Sequence, residues 1–118
     1  MYQLFREQAV NIKFHIASET IDDPYEKTVT LTYLPPLPVK AIVQDLSFSK
    51  LQWIMPGIRA DKAKEIYIEK KRESLLKAGF YITIGNDSTK YEGYLENGTL
   101  KYKEEGEYLR LYVYSRVD

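Results

Sequence analysis

Cysteine is absent from this 118-residue chain, which excludes disulfide staples, thiolate chemistry and cysteine-ligated zinc. Histidine is almost absent, since His15 is the only one. A Ser-His-Asp triad built on it has no spare imidazole and no G-x-S-x-G turn to support it. A surface position on the polar side of a strand, beside Lys13, is the simpler reading, with the triad left open. The six glycines are scattered, and neither G-x-x-x-x-G-K-[ST] nor G-x-G-x-x-G occurs, so no phosphate-cradling loop is present. Net charge is also lacking, with 17 basic and 17 acidic residues. Strong nonspecific binding to duplex nucleic acid, which draws on a basic excess, is thereby demoted. No apolar run approaches the ~20 residues that cross a bilayer. The opening Met1-Tyr2-Gln3-Leu4-Phe5-Arg6-Glu7 is charged early and lacks the apolar centre of a signal peptide. These gaps predict a soluble protein made in a cytoplasm, one domain over residues 1–118. They predict no cofactor, metal, small-molecule substrate or membrane contact, and no enzymatic role.

Tyrosine is abundant instead: 11 Tyr stand against 4 Phe and 1 Trp. Its ring buries area while its hydroxyl stays wet or hydrogen-bonded, which suits half-exposed sheets and protein interfaces alike. Val10, Ile12, Phe14 and Ile16 alternate with polar neighbours, the period of a strand with one buried face. Residues 18–27 are polar and include Asp22-Asp23-Pro24, a turn cluster. Residues 28–33 alternate again. Pro35, Pro36 and Pro38 cannot donate to a ladder, so they end that strand or lie at an edge. Pro35-Pro36-Leu37-Pro38 reads as a stiff connector, with a polyproline ligand as the less favoured option. Residues 39–46 resume a strand. Farther on, residues 61–64 suggest a helical turn, 65–69 a short strand, and 72–78 a short helix anchored by Leu75 and Leu76 and closed by Gly79.

The last third is plainly β. Phe80, Ile82 and Ile84 alternate, Asn86-Asp87-Ser88 turns, and residues 91–96 and 99–103 flank Asn97-Gly98, a dipeptide suited to a two-residue hairpin. After Glu104-Glu105-Gly106, residues Tyr108, Arg110, Tyr112 and Tyr114 share one face, and Leu109, Leu111 and Val113 the other. The expected fold is mainly β, a small barrel or sandwich of about six to eight short antiparallel strands, with one inserted loop and a short helix.

Residues 49–60 form the expected insertion. Leu51, Trp53, Ile54, Met55 and Ile58 carry too much apolar surface for a solvated loop, so their own domain or a partner must cover them. Charge is uneven along the chain. Residues 59–77 hold Arg59, Lys62, Lys64, Lys70, Lys71, Arg72 and Lys77 against four acids. Residues 87–107 hold three bases against Asp87, Glu92, Glu96, Glu104, Glu105 and Glu107. Such opposed regions permit a head-to-tail contact between subunits, with Lys62, Lys70, Lys71 and Arg72 facing Glu104, Glu105 and Glu107; evenly solvated charge is the alternative. The carboxylates lie on turns or solvated strand faces, unlike a glycosidase pair about 5–10 Å apart across a cleft.

The order of these parts resembles the neck proteins of tailed bacteriophages, the head-closure (stopper) or head–tail connector proteins of minor-capsid type. The resemblance spans nearly the whole chain. It rests on the opening strand 10–16, the Asp22-Asp23-Pro24 turn, the strand pair over 28–46, Leu51-Gln52-Trp53-Ile54-Met55-Pro56-Gly57, Lys64-Glu65-Ile66-Tyr67-Ile68-Glu69-Lys70, and the closing Glu107-Tyr108-Leu109-Arg110-Leu111-Tyr112-Val113-Tyr114. It is one of length and pattern, with no short signature. It implies a β-barrel subunit in a homo-oligomeric ring between portal and tail in the virion, contacting portal or adaptor and tail proteins. The inserted loop, at 49–60 by position, would lie at the channel and help retain packaged DNA. The alternative is a small barrel that binds peptide or single-stranded nucleic acid through exposed aromatics.

Overall fold

A computed structural model describes residues 9–23, 28–58 and 60–116. Among the described residues, ten strands, a seven-residue α-helix and a 3-10 helix follow one another. They are β1 (Val10–Asp23), β2 (Thr28–Tyr33), β3 (Leu37–Asp45), α1 (Phe48–Ile54), β4 (Ala60–Glu69), the 3-10 helix (Lys70–Lys77), β5 (Phe80–Ile84), β6 (Tyr91–Gly93), β7 (Leu95–Glu96), β8 (Thr99–Leu100), β9 (Tyr102–Glu105) and β10 (Tyr108–Arg116). Antiparallel pairing runs β1-β3-β4-β10-β6-β5 and returns to β1, closing a six-stranded barrel. Closure removes the open edges that an unclosed sheet of this size would expose.

The period-two patterns place most of the core as expected, with Val10, on the expected buried face, exposed instead. Ile12, Phe14, Val39, Ala41, Ile66, Ile68, Ile82, Leu109, Leu111 and Val113 are buried together and fill the interior. A barrel this narrow is filled by its own side chains. Leu76 of the 3-10 helix is buried in the same cluster and Leu75 packs against it, as their spacing suggests. The Asn97-Gly98 hairpin is also present between β7 and β8: both residues have positive φ, 55° and 81°, the backbone that a right-twisted two-residue turn requires.

Four expectations are corrected. First, β1 extends past residue 16 to Asp23, because residues 17–23 pair with β2. Pro24, in the expected turn, lies outside the described residues. Second, Pro35 and Pro36 do lie between two strands, as expected, since β2 ends at Tyr33 and β3 begins at Leu37, but Pro38 does not. Leu34 N donates to Ile16 O at 2.8 Å, and Leu37 pairs with Phe14. His15 therefore faces both Pro35 and Pro36, a β-bulge made from two residues without donors. β2 and β3 are thus successive partners of β1, joined by the two prolines. Pro38 lies inside β3, opposite Lys13. It is tolerated because β3 pairs with β4 only from Ala41 onward.

Third, residues 61–64 are not a helical turn but the first half of β4, where short Ala63 and alternating charges disguise the strand period. Fourth, the 49–60 insertion is not an irregular loop. Residues 48–54 form α1, with Ser47 as N-cap accepting from Lys50 N at 3.3 Å. Gly57, at φ 82°, lies in the turn that follows it.

Candidate interaction surface

α1 is held against the outer wall of the barrel, not its interior. On β4 and β10 the aliphatic residues face inward, which leaves Ala63, Tyr112 and Tyr114 facing out. Leu51 and Met55, one helical turn apart, bury themselves on these residues together with Tyr94. Ile54 and Ile58 are half-buried against the same cluster. The helix end is tied down as well. Lys101 Nζ donates to Ile54 O at 3.3 Å and forms an ion pair with Glu96 at 2.9 Å, placing a cation at the negative end of the helix.

That anchoring decides what α1 presents. Trp53 sits two residues after Leu51, ~200° around the helix, and is 87% exposed. Phe48, which the sequence did not single out, is 77% exposed. Of the five residues expected at an interface, Leu51 and Met55 are thus committed to the chain's own core, Ile54 and Ile58 are shared, and Trp53 faces solvent. Beside α1, Phe48, Leu51, Lys62, Lys64, Leu46 and Asp45 line an open hollow of 420 Å³. Lys62 is exposed at its rim, and Lys64 pairs with Asp45.

The charged residues are arranged differently from two separate poles. Lys70 opens the 3-10 helix, and its backbone N donates to Glu107 O at 2.9 Å, beside the β9–β10 turn. Lys70 pairs with Glu104 at 3.1 Å, and Glu105 with Arg110 at 2.8 Å. Lys71 approaches Glu69 at 3.7 Å, Arg72 is half-buried and Glu107 exposed. Among the described residues, one ion pair, Lys70–Glu104, joins residues 59–77 to residues 87–107 within a single chain. Lys62 stands apart from this group, beside α1. Glu65, expected on a solvated face, is buried and accepts from Tyr67 Oη at 2.7 Å. Burial and this bond hold the Tyr67 phenol above its usual pKa.

A second group decorates the barrel near the bulge. The His15 ring stacks on Tyr81 with centroids 4.3 Å apart, and Tyr33 meets Tyr81 edge-on at 4.9 Å. His15 Nε2 is 2.9 Å from Thr83 Oγ1. Lys90 Nζ lies 5.1 Å from the centre of the Tyr81 ring. Desolvation, then Lys13 and Lys90, lower the His15 pKa from 6.5. An open cleft of 620 Å³ lies between the 3-10 helix and the β7–β8 hairpin, lined by Leu76, Phe80, Leu95, Leu100 and Glu92 among others. Among the described residues no group of three or more His, Asp or Glu side chains is placed to hold a metal ion, and no helix is long and apolar enough to cross a membrane.

The chain matches no known family model, no curated protein and no solved structure.

Proposed function

We propose that this chain is a structural subunit of a tailed-bacteriophage neck, a head-closure or connector protein that assembles as a ring between portal and tail and helps retain packaged DNA. The observation that carries the assembling role is Trp53, 87% exposed on a helix whose opposite side is buried. A single exposed apolar residue is ordinary. Two large aromatics, Phe48 and Trp53, stand exposed on one seven-residue helix anchored by Leu51 and Met55, and apolar surface of this kind is what partners cover. The partner class comes from the resemblance of the chain's layout to neck proteins. Antibody-gold labelling of intact particles is expected to mark the junction of head and tail. Unlabelled particles, with the protein confined to the host cytoplasm, would overturn this reading.

A second reading, a binding module for single-stranded nucleic acid or peptide, is favoured by one observation. The His15–Tyr81–Tyr33 group offers aromatic faces beside Lys13 and Lys90, the combination on which bases stack. It requires salt-sensitive oligonucleotide binding that Tyr81→Ala abolishes, and no binding at low salt dismisses that nucleic-acid mode.

A further inference from the structure

The charges of this chain cancel overall, but not on every wall of the barrel. Ile12 and Phe14 of β1 point inward, so Asn11, Lys13 and His15 point outward. Cross-strand partners share a face of a sheet. Lys40 and Pro38 of β3 therefore join them, opposite Asn11 and Lys13, and so do Thr83 and Tyr81 of β5, opposite Lys13 and His15. Lys13, Lys40 and Lys90 are exposed. Residues 9–18, 32–44 and 78–86, which build this wall and its margins, contain no acid. A segregated basic strip on a neutral molecule is the electrostatic footprint of an anionic ligand.

Aromatic rings occupy the middle of the wall. The His15 ring lies 5° from parallel with Tyr81, so each has one face taken by the other. Tyr33, at the end of β2, stands at 80° to Tyr81 and is 46% exposed, which leaves its ring open to a ligand. Cations beside an open aromatic ring suit a polyanion that also carries planar groups. Single-stranded nucleic acid has both, phosphates for the lysines and bases for the ring. An acidic peptide brings the charge without the bases.

His15 stands where these charges meet. Lys13 lies on its own strand, Tyr81 and Tyr33 pack beside it from β5 and β2, and Lys90 approaches the Tyr81 ring. Glu92 of β6, half-buried opposite Tyr81, carries the opposing charge on this side. Nε2 of His15 is engaged by Thr83 Oγ1 at 2.9 Å. Burial first, then Lys13 and Lys90, disfavour the imidazolium. Phosphates seated on Lys13 and Lys90 would cancel the last two of these influences and add an attraction of their own.

We infer that single-stranded nucleic acid binds this wall with uptake of a proton at His15. Lys13, Lys40 and Lys90 take phosphates and Tyr33 stacks on a base. This rests on the reading of the chain as a nucleic-acid-binding module and adds the regulation of that site. The coupling is reciprocal: protonation strengthens the complex by the same factor by which the complex favours protonation. A midpoint raised by about one unit on binding corresponds to about tenfold tighter binding below both midpoints than above both.

The imidazole is the only one in the chain, so proton NMR follows it directly. In the full-length chain at low salt, its midpoint is expected to rise by about one unit when an oligothymidylate of about eight nucleotides is added. Fluorescence anisotropy of the labelled strand should show binding that approaches tenfold tighter at about pH 5 than at about pH 8. His15→Asn, which cannot titrate, should stay folded by circular dichroism and bind at the higher pH, with the pH dependence lost. Lys13→Ala, an exposed change, should raise the free midpoint and shrink the step on binding. Tyr33→Ala should weaken binding at both pH values. Oligonucleotide binding that leaves the midpoint in place, or that depends on pH as strongly in His15→Asn, would overturn the proton coupling and leave the nucleic-acid reading standing. A polyglutamate peptide that raises the midpoint as far as the oligothymidylate would overturn the assignment to nucleic acid. A strand that binds at neither pH would overturn both.

Discussion

The two faces of β10 show how one strand can build two unlike cores. Leu109, Leu111 and Val113 face the interior and are fully buried among aliphatic side chains. Tyr112 and Tyr114 face outward, yet they are also buried, under α1. The inner core is closed by the strands themselves. The outer one exists only because a short helix covers the wall, and that helix takes its packing from one side alone. A phenol suits the outer position, since its ring can be buried while its hydroxyl reaches the boundary. Burial on this wall thus ends at α1, and the far side of α1 leaves Trp53 exposed.

Four measurements would break or sharpen this contrast, beginning with the largest effect. Phe14→Ala, in the inner core against Phe80 at 5.1 Å, should cost about 3–5 kcal/mol in denaturant unfolding. A smaller loss would mean that the interior can collapse around the gap. Met55→Ala should cost about 2–5 kcal/mol, nearer the lower figure because a helix on an open wall can shift into the space. Trp53→Ala, in the same segment, should change stability by less than about 0.5 kcal/mol, and an equal loss in the two variants would erase the distinction between the sides of α1. Ser47→Ala should cost about 1 kcal/mol through the freed N–H of Lys50, visible as a lower melting temperature with the barrel's strands intact.

The smallest effect concerns His15. Its folded pKa lies below 6.5, first because of desolvation and then because of Lys13 and Lys90. The folded state therefore resists protonation. Its contribution to stability is complete above the unfolded pKa of 6.5 and declines as pH falls from there to the folded pKa. Proton NMR of the single imidazole should show a midpoint below 6.5 that rises in Lys90→Ala. An unshifted midpoint would remove the bulge-side group from the set of desolvated sites.

How much was legible differs from element to element. The strands with clear alternation, around Ile12 and Phe14, Ile82, and Leu109 to Val113, are found where period two places them. The first half of β4 escaped because Ala63 and its charged neighbours carry no apolar rhythm, and its burial comes from a helix placed over it. α1 escaped because its apolar residues divide between two destinations, Leu51 and Met55 inward and Trp53 and Phe48 outward, which blurs any single period. The one local signal of its start is Ser47, the N-cap that accepts from Lys50 N. The second half of β1 was hidden in a stretch that looks like a polar turn, and only its pairing with β2 reveals the strand.

By itself the sequence determined which residues want to leave water and with what local period: the barrel's inner lining, the Asn97-Gly98 turn, and an apolar segment around Trp53 too large for an ordinary loop. Propensity and alternation are properties of neighbouring residues, so they can be read along the chain. Tertiary structure alone decided that Pro35 and Pro36 form a bulge where β2 gives way to β3 along β1, that Lys70 and Glu104 meet within a single subunit, and that Met55 is hidden while Trp53 is not. Each of those outcomes depends on contacts between residues distant in sequence, whose energies are set only when the barrel closes and brings them together.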